Sequence, residues 1–114
     1  MNTTYIVLAV VVSIIIYFDY QKYKRNTRPK VHMVWLYKPG CGHCIRMEKA
    51  WKEFEDSSPS YVSISRINII EEPSIAEYFN VVGVPHIVKV VEGRQYVFNG
   101  DRTSENFLEF ATME

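Results

Sequence analysis

Tyr37-Lys38-Pro39-Gly40-Cys41-Gly42-His43-Cys44 is the stretch on which the fold of this chain turns. It holds the only two cysteines of the 114 residues, separated by two positions. The apolar run Val31 to Tyr37 precedes it, and Pro39-Gly40 breaks that run. Behind it Cys44, Met47, Trp51 and Phe54 recur at spacings of three or four, which predicts a helix over 42–56. Strand, tight turn, cysteine pair and helix is the setting of a dithiol redox motif. A cysteine at a helix start meets unpaired backbone N–H groups and the positive end of the macrodipole, which favour its thiolate. The thiolate is the nucleophile, so Cys41 is the expected attacking residue and Cys44, one turn on, the resolving one. An imidazolium at His43 would add a further stabiliser of the thiolate and make the disulfide more oxidising.

The pair admits two other readings. Zinc needs more ligands than one cysteine pair, and only His32, His43 and His86 are on offer. An inert structural disulfide across three residues closes a loop of little entropic value. Both are weaker than the redox reading.

The octapeptide resembles the active-site turn of thioredoxin-fold proteins, and Cys-Gly-His-Cys is similar to the protein disulfide isomerase branch of that superfamily. Gly83-Val84-Pro85 resembles the family's loop before a cis-proline, and Phe98-Asn99-Gly100-Asp101-Arg102 resembles the approach to its last helix. The resemblance spans roughly residues 31–111. It implies that Val84, Pro85 and His86 border bound substrate, and that Arg102 approaches Cys44 and lowers its pKa, unless it is a plain surface arginine. It implies no metal and no organic cofactor. Three departures stand out. Trp35 occupies the place, six residues before Cys41, where the family often has a buried carboxylate that handles the second thiol's proton. That step then falls to water, His43 or His86. His86 replaces a small hydroxyl residue, and Gly40 replaces an aromatic one, which opens the rim of the site.

Around this centre the rest of the chain falls into order. Val31–Tyr37 reads as a central strand, and Tyr61–Ile70 as a second, bulged if its apolar residues are to share one face. Asp56 to Ser60 reads as a loop, and Pro73 opens a short helix. Ile87–Val91 and Arg94–Phe98 flank Glu92-Gly93, a hairpin signature. Thr103 caps a last helix whose Phe107, Phe110 and Ala111 face inward. The expected fold class is α/β, a minimal thioredoxin-like fold. It has a mixed four-stranded sheet flanked by helices, without the family's extra leading strand and helix.

The first 30 residues have a different character. Thr3 to Tyr20 is apolar apart from its ends and Ser13, and as helix it reaches about 27 Å, enough to span a thin bilayer. Tyr5, Tyr17 and Tyr20 sit at its ends, where amphipathic rings prefer the interface. No basic residue precedes the run and no small-x-small site follows it, which argues against a cleaved signal peptide. The expected organisation is a transmembrane anchor at 1–20, a basic juxtamembrane linker at 21–30 and a thioredoxin-like domain at 31–114, with membrane contact through residues 5–20. Residues 1–30 carry five basic side chains against one acidic, and residues 31–114 carry eight against twelve. A domain of net −4 is a poor match for nucleic acid. The basic flank places the domain on the cytoplasmic side. Disulfide-forming chemistry favours an oxidising lumen or a virion membrane instead. The expected function is a membrane-anchored thiol–disulfide oxidoreductase of isomerase or oxidase type, acting on protein thiols and disulfides and recycled by a redox partner. A reductase and a redox-responsive binding module are the competing readings.

Overall fold

The computed structural model describes residues 2–26 and 29–113. Helix α1 runs from Thr3 to Asn26, without interruption. Its apolar side chains are exposed all around, from Tyr5 to Tyr20 and on to Tyr23. The stretch Thr3–Lys24 is long and apolar enough to cross a membrane. A helix apolar on every face, with none of them packed inside protein, matches a lipid environment. The helix continues into the expected linker because Gln21, Lys22, Lys24 and Arg25 are good helix formers and no proline intervenes before Pro29. Arg28, assigned to that linker, lies outside the described residues.

Beyond Pro29 the elements are β1 (Val31–Tyr37), α2 (Gly42–Ser57), β2 (Val62–Asn68), α3 (Pro73–Tyr78), β3 (His86–Val91), β4 (Arg94–Val97) and α4 (Ser104–Thr112). The sheet order is β2-β1-β3-β4. β1 pairs parallel with β2 and antiparallel with β3, and β3 pairs antiparallel with β4. β1 is a near-continuous apolar run because both of its faces are covered. Met33 and Trp35 point into the core under α2 and α4. Val34 and Leu36 point the other way, with Val88, toward Ile75 and Phe79.

The larger core is aromatic. Trp51, Phe54 and Phe107 are fully buried, with ring centroids 5.1 to 5.9 Å apart and tilted or edge-to-face contacts. Trp35 joins them through Trp51 at 5.6 Å. This cluster fixes α2 on the sheet, and α2 in turn carries the cysteines. Thr103 caps α4, its Oγ1 accepting from the Asn106 N–H at 3.1 Å. Glu92 and Gly93 both have left-handed backbone, φ 51° and 78°, as a two-residue hairpin turn demands.

β2 has no bulge. All seven residues pair in register with β1, Val62 opposite Val31 through Asn68 opposite Tyr37. The apolar phase shifts because Arg66, opposite Trp35, takes a position on the α2 side. It bonds Glu55 at 2.8 Å and Glu48 at 3.0 Å there, while Ile67 turns to the α3 side. Lys89 is a second surprise, buried in mid-strand. Its Nζ donates to the Phe110 carbonyl at 2.8 Å and the Met113 carbonyl at 3.3 Å, filling acceptors that the end of α4 leaves open. Burial lowers its pKa.

Candidate active site

The site sits where β1 ends and α2 begins. Lys38 to Cys41 form a tight turn closed by the Cys41 N–H on the Lys38 carbonyl at 3.4 Å. Proline and then glycine occupy its centre, and Gly40 has φ 78°. This is the arrangement of a type II turn, in which the second central residue needs positive φ. A side chain at Gly40 would meet no neighbour, so backbone conformation, not space, calls for glycine.

The turn delivers Cys41 to the N-cap of α2, with extended backbone at φ −73° and ψ 115°. Its Sγ accepts from the Cys44 N–H at 3.2 Å. The Cys41 pKa is lowered, first by the hydrogen bond from the Cys44 thiol, then by the N–H groups of Cys44 and His43 and the charge of Lys38. Burial works against the shift and loses. Cys44 is the opposite case. Only 4% of it is exposed, and burial pushes its thiol up to about 11, helped by the hydrogen bond it gives Cys41. Arg102 opposes this rise through its charge. One thiol is thus set up to ionise at the surface and the other to stay protonated beneath it.

Val84 and Pro85 face the pair from the loop before β3. The Cys41 Sγ lies 3.9 Å from the Val84 carbonyl oxygen, and the Val84–Pro85 peptide bond is cis. The chain is brought together here across 43 positions. His43 is exposed, and its Nδ1 lies 2.7 Å from an Arg46 guanidinium nitrogen. Arginine only donates, so Nδ1 is the acceptor in this contact. The Arg46 guanidinium therefore stands against the ring one turn along α2. Arg102 lies in the same cleft as His43, Arg46 and Met47.

His86 is placed differently from the expected proton carrier. It pairs with Leu36, and residues directly opposite in a sheet share a face. Leu36 belongs to the α3 side, whereas Cys44 belongs to the α2 side. His86 is therefore on the wrong side of the sheet to serve Cys44. Its buried Nε2 has no hydrogen-bond partner among the described residues, and burial lowers its pKa. His32 also stands apart from the cysteines, bonded to the Ser65 hydroxyl at 2.7 Å.

Trp35 is buried beside Cys44, in a cleft of about 280 Å³ that Glu48 and Arg66 also line. Neither Glu48 nor Arg66 was among the expected site residues. Glu48 carried one legible signal, its position four residues after Cys44 and so on the same side of α2.

The thioredoxin family model matches residues 15–113. Protein disulfide-isomerase TMX3 of Xenopus laevis is 31% identical over 113 residues, covering 96% of this chain and 25% of that protein. The Homo sapiens protein of the same name is 32% identical over 94 residues, covering 80% and 21%. This chain thus spans about a quarter or less of the length of those relatives. Thioredoxin-related transmembrane protein 1 of Homo sapiens is 25% identical over 79 residues, covering 68% of this chain and 28% of that protein. Among solved structures, the J-Trx1 fragment of ERdj5 superimposes with a TM-score of 0.67 at 26% identity, over 72% of this chain and 41% of that one. With its four-stranded mixed sheet, its paired thiols at a helix start and relatives that are protein disulfide isomerases, the chain belongs to the thioredoxin family.

Proposed function

We propose that this protein is a membrane-anchored thiol–disulfide oxidoreductase of protein disulfide isomerase or oxidase type, acting through the Cys41–Cys44 pair on protein substrates. The observation that carries this is the unequal environment of the two thiols. Cys41 is accessible, capped by N–H groups and lowered in pKa, while Cys44 is buried and raised.

The arrangement supports a two-step exchange. The Cys41 thiolate attacks one sulfur of a substrate disulfide, and the other substrate sulfur leaves as a thiolate. Cys44 then loses its proton and attacks Cys41. The Cys41–substrate bond breaks, the second substrate thiolate leaves, and a Cys41–Cys44 disulfide remains. Run backwards, the same steps oxidise a substrate dithiol. A substrate strand lying along Val84-Pro85-His86 would have backbone groups to pair with. Arg102 lowers the cost of ionising Cys44. A separate redox partner recycles the pair, and the membrane span in α1 confines the reaction to a bilayer surface.

The test is the reduction potential of the full chain in detergent, titrated against glutathione. A couple near about −180 mV marks an isomerase or oxidant, whereas one near about −270 mV marks a reductant. Absence of any reversible dithiol couple overturns the proposal.

A further inference from the structure

We propose that Glu48 is the proton acceptor for Cys44, relocated from the sheet to α2 and acting through the cleft the two residues share. This rests on the oxidoreductase reading above.

Cys44 must lose its proton before it can attack, yet it is held in the apolar core beside Trp35, whose indole has no basic site. The cleft of about 280 Å³ is the way out. It is roomy enough for water and has charged groups on its wall, the conditions under which bridging water is stable. The titratable groups that line this cleft with Cys44 are Tyr37, Lys38, Glu48 and Arg66, while Cys41 is hydrogen-bonded to the thiol and Arg102 acts on it by charge from the loop before α4. Lysine and arginine offer only donors, and Cys41 is tied up in the mixed disulfide when the proton must move. Glu48 is the one carboxylate among them. Its spacing of four from Cys44 puts it one helical turn below, on the same side of α2.

The Arg66 guanidinium holds that carboxylate at the wall of the cleft. It rests over the Trp35 ring at 5.3 Å and is shared between Glu48 at 3.0 Å and Glu55 at 2.8 Å. When Glu48 takes up a proton, Glu55 still neutralises Arg66, so no cation is left unpaired. Trp35 thus holds the guanidinium as a platform in place of the base it cannot be. In the step itself the Cys44 proton passes through cleft water to the Glu48 carboxylate. The Cys44 sulfur bonds to Cys41, and the substrate leaves as a thiolate that solvent later protonates. Glu48 returns its proton to solvent.

The experiment follows the two half-reactions of the full chain in detergent with a disulfide peptide, comparing the parent with Glu48→Gln and Glu48→Asp across pH. Glu48 is exposed, so neither change threatens the fold. Glu48→Gln should leave formation of the Cys41 mixed disulfide unchanged and slow its resolution about tenfold or more at neutral pH, a modest share of what a positioned base contributes. The deficit should shrink as pH rises and hydroxide takes over. Glu48→Asp should recover part of the rate. If the mixed disulfide forms but resolves with the parent's rate and pH profile in Glu48→Gln, Glu48 is not the acceptor while the oxidoreductase reading stands. If no mixed disulfide forms at Cys41 even in the parent, both fall together.

Discussion

The backbone N–H of Cys44 points at the Cys41 sulfur from 3.2 Å, so Cys44 is itself part of the cap that favours a thiolate at Cys41. The same helical turn therefore separates the two thiols in pKa. Cys41 is drawn down by donors it receives, and Cys44 is pushed up by burial and by the donor it gives.

Alkylation should report that split. At neutral pH, iodoacetamide should label Cys41 well before Cys44 in the reduced chain, because the lowered pKa gives it the larger thiolate fraction. Mass spectrometry of the digested protein reads the order. Equal labelling would mean that the cap has no effect.

The same shift bears on stability. A folded-state pKa for Cys44 of about 11, above the ordinary 9.0, contributes stability that is complete below pH 9.0 and is lost as pH rises toward 11. The melting temperature of the reduced chain should fall over that window more than that of a Cys44→Ala variant. Parallel curves would count against the burial of Cys44.

Cys44→Ser should trap covalent complexes at Cys41, visible as reducible bands on non-reducing gels. The double variant Cys41→Ser, Cys44→Ser should show none, and Cys41→Ser alone should lose insulin reduction. Trapping that persists without Cys41 would reassign the nucleophile.

Phe107→Ala should destabilise the domain by about 3–5 kcal/mol, since it empties a fully buried site against Trp51, Phe54 and Phe98. That is a large part of the roughly 5–15 kcal/mol that holds a domain folded. Thr103→Ala, which removes only the α4 cap, should cost about 1 kcal/mol. Urea titration followed by tryptophan fluorescence measures both. A Thr103 effect as large as that of Phe107 would contradict this division of the core and the cap.

Much of this protein was legible along the chain because the signals are local. Pro39-Gly40 specifies its turn through backbone dihedrals, Cys41 falls at a helix start, and Glu92-Gly93 specifies its hairpin. The period of Cys44, Met47, Trp51 and Phe54 marks a buried helix face, and those four residues are the buried ones of α2. The apolar helix at the N-terminus was equally plain, although its end was not. The basic residues after Tyr20 suit a linker or a helix, and helix propensity carried α1 to Asn26.

Tertiary structure decided the rest, because register and burial depend on residues far apart in sequence. Pairing with Leu36 turns His86 to the α3 side of the sheet, away from the cysteines. Pairing with Trp35 brings Arg66 over its ring and within reach of Glu48 and Glu55. The meeting of β3 with the end of α4 buries Lys89, whose charge alone would place it in solvent. Local sequence can set the dihedrals of a turn or the face of a helix. Only the packed sheet sets which distant groups share the cleft beside Cys44, since a shift of one residue in register would send each of them to the opposite face.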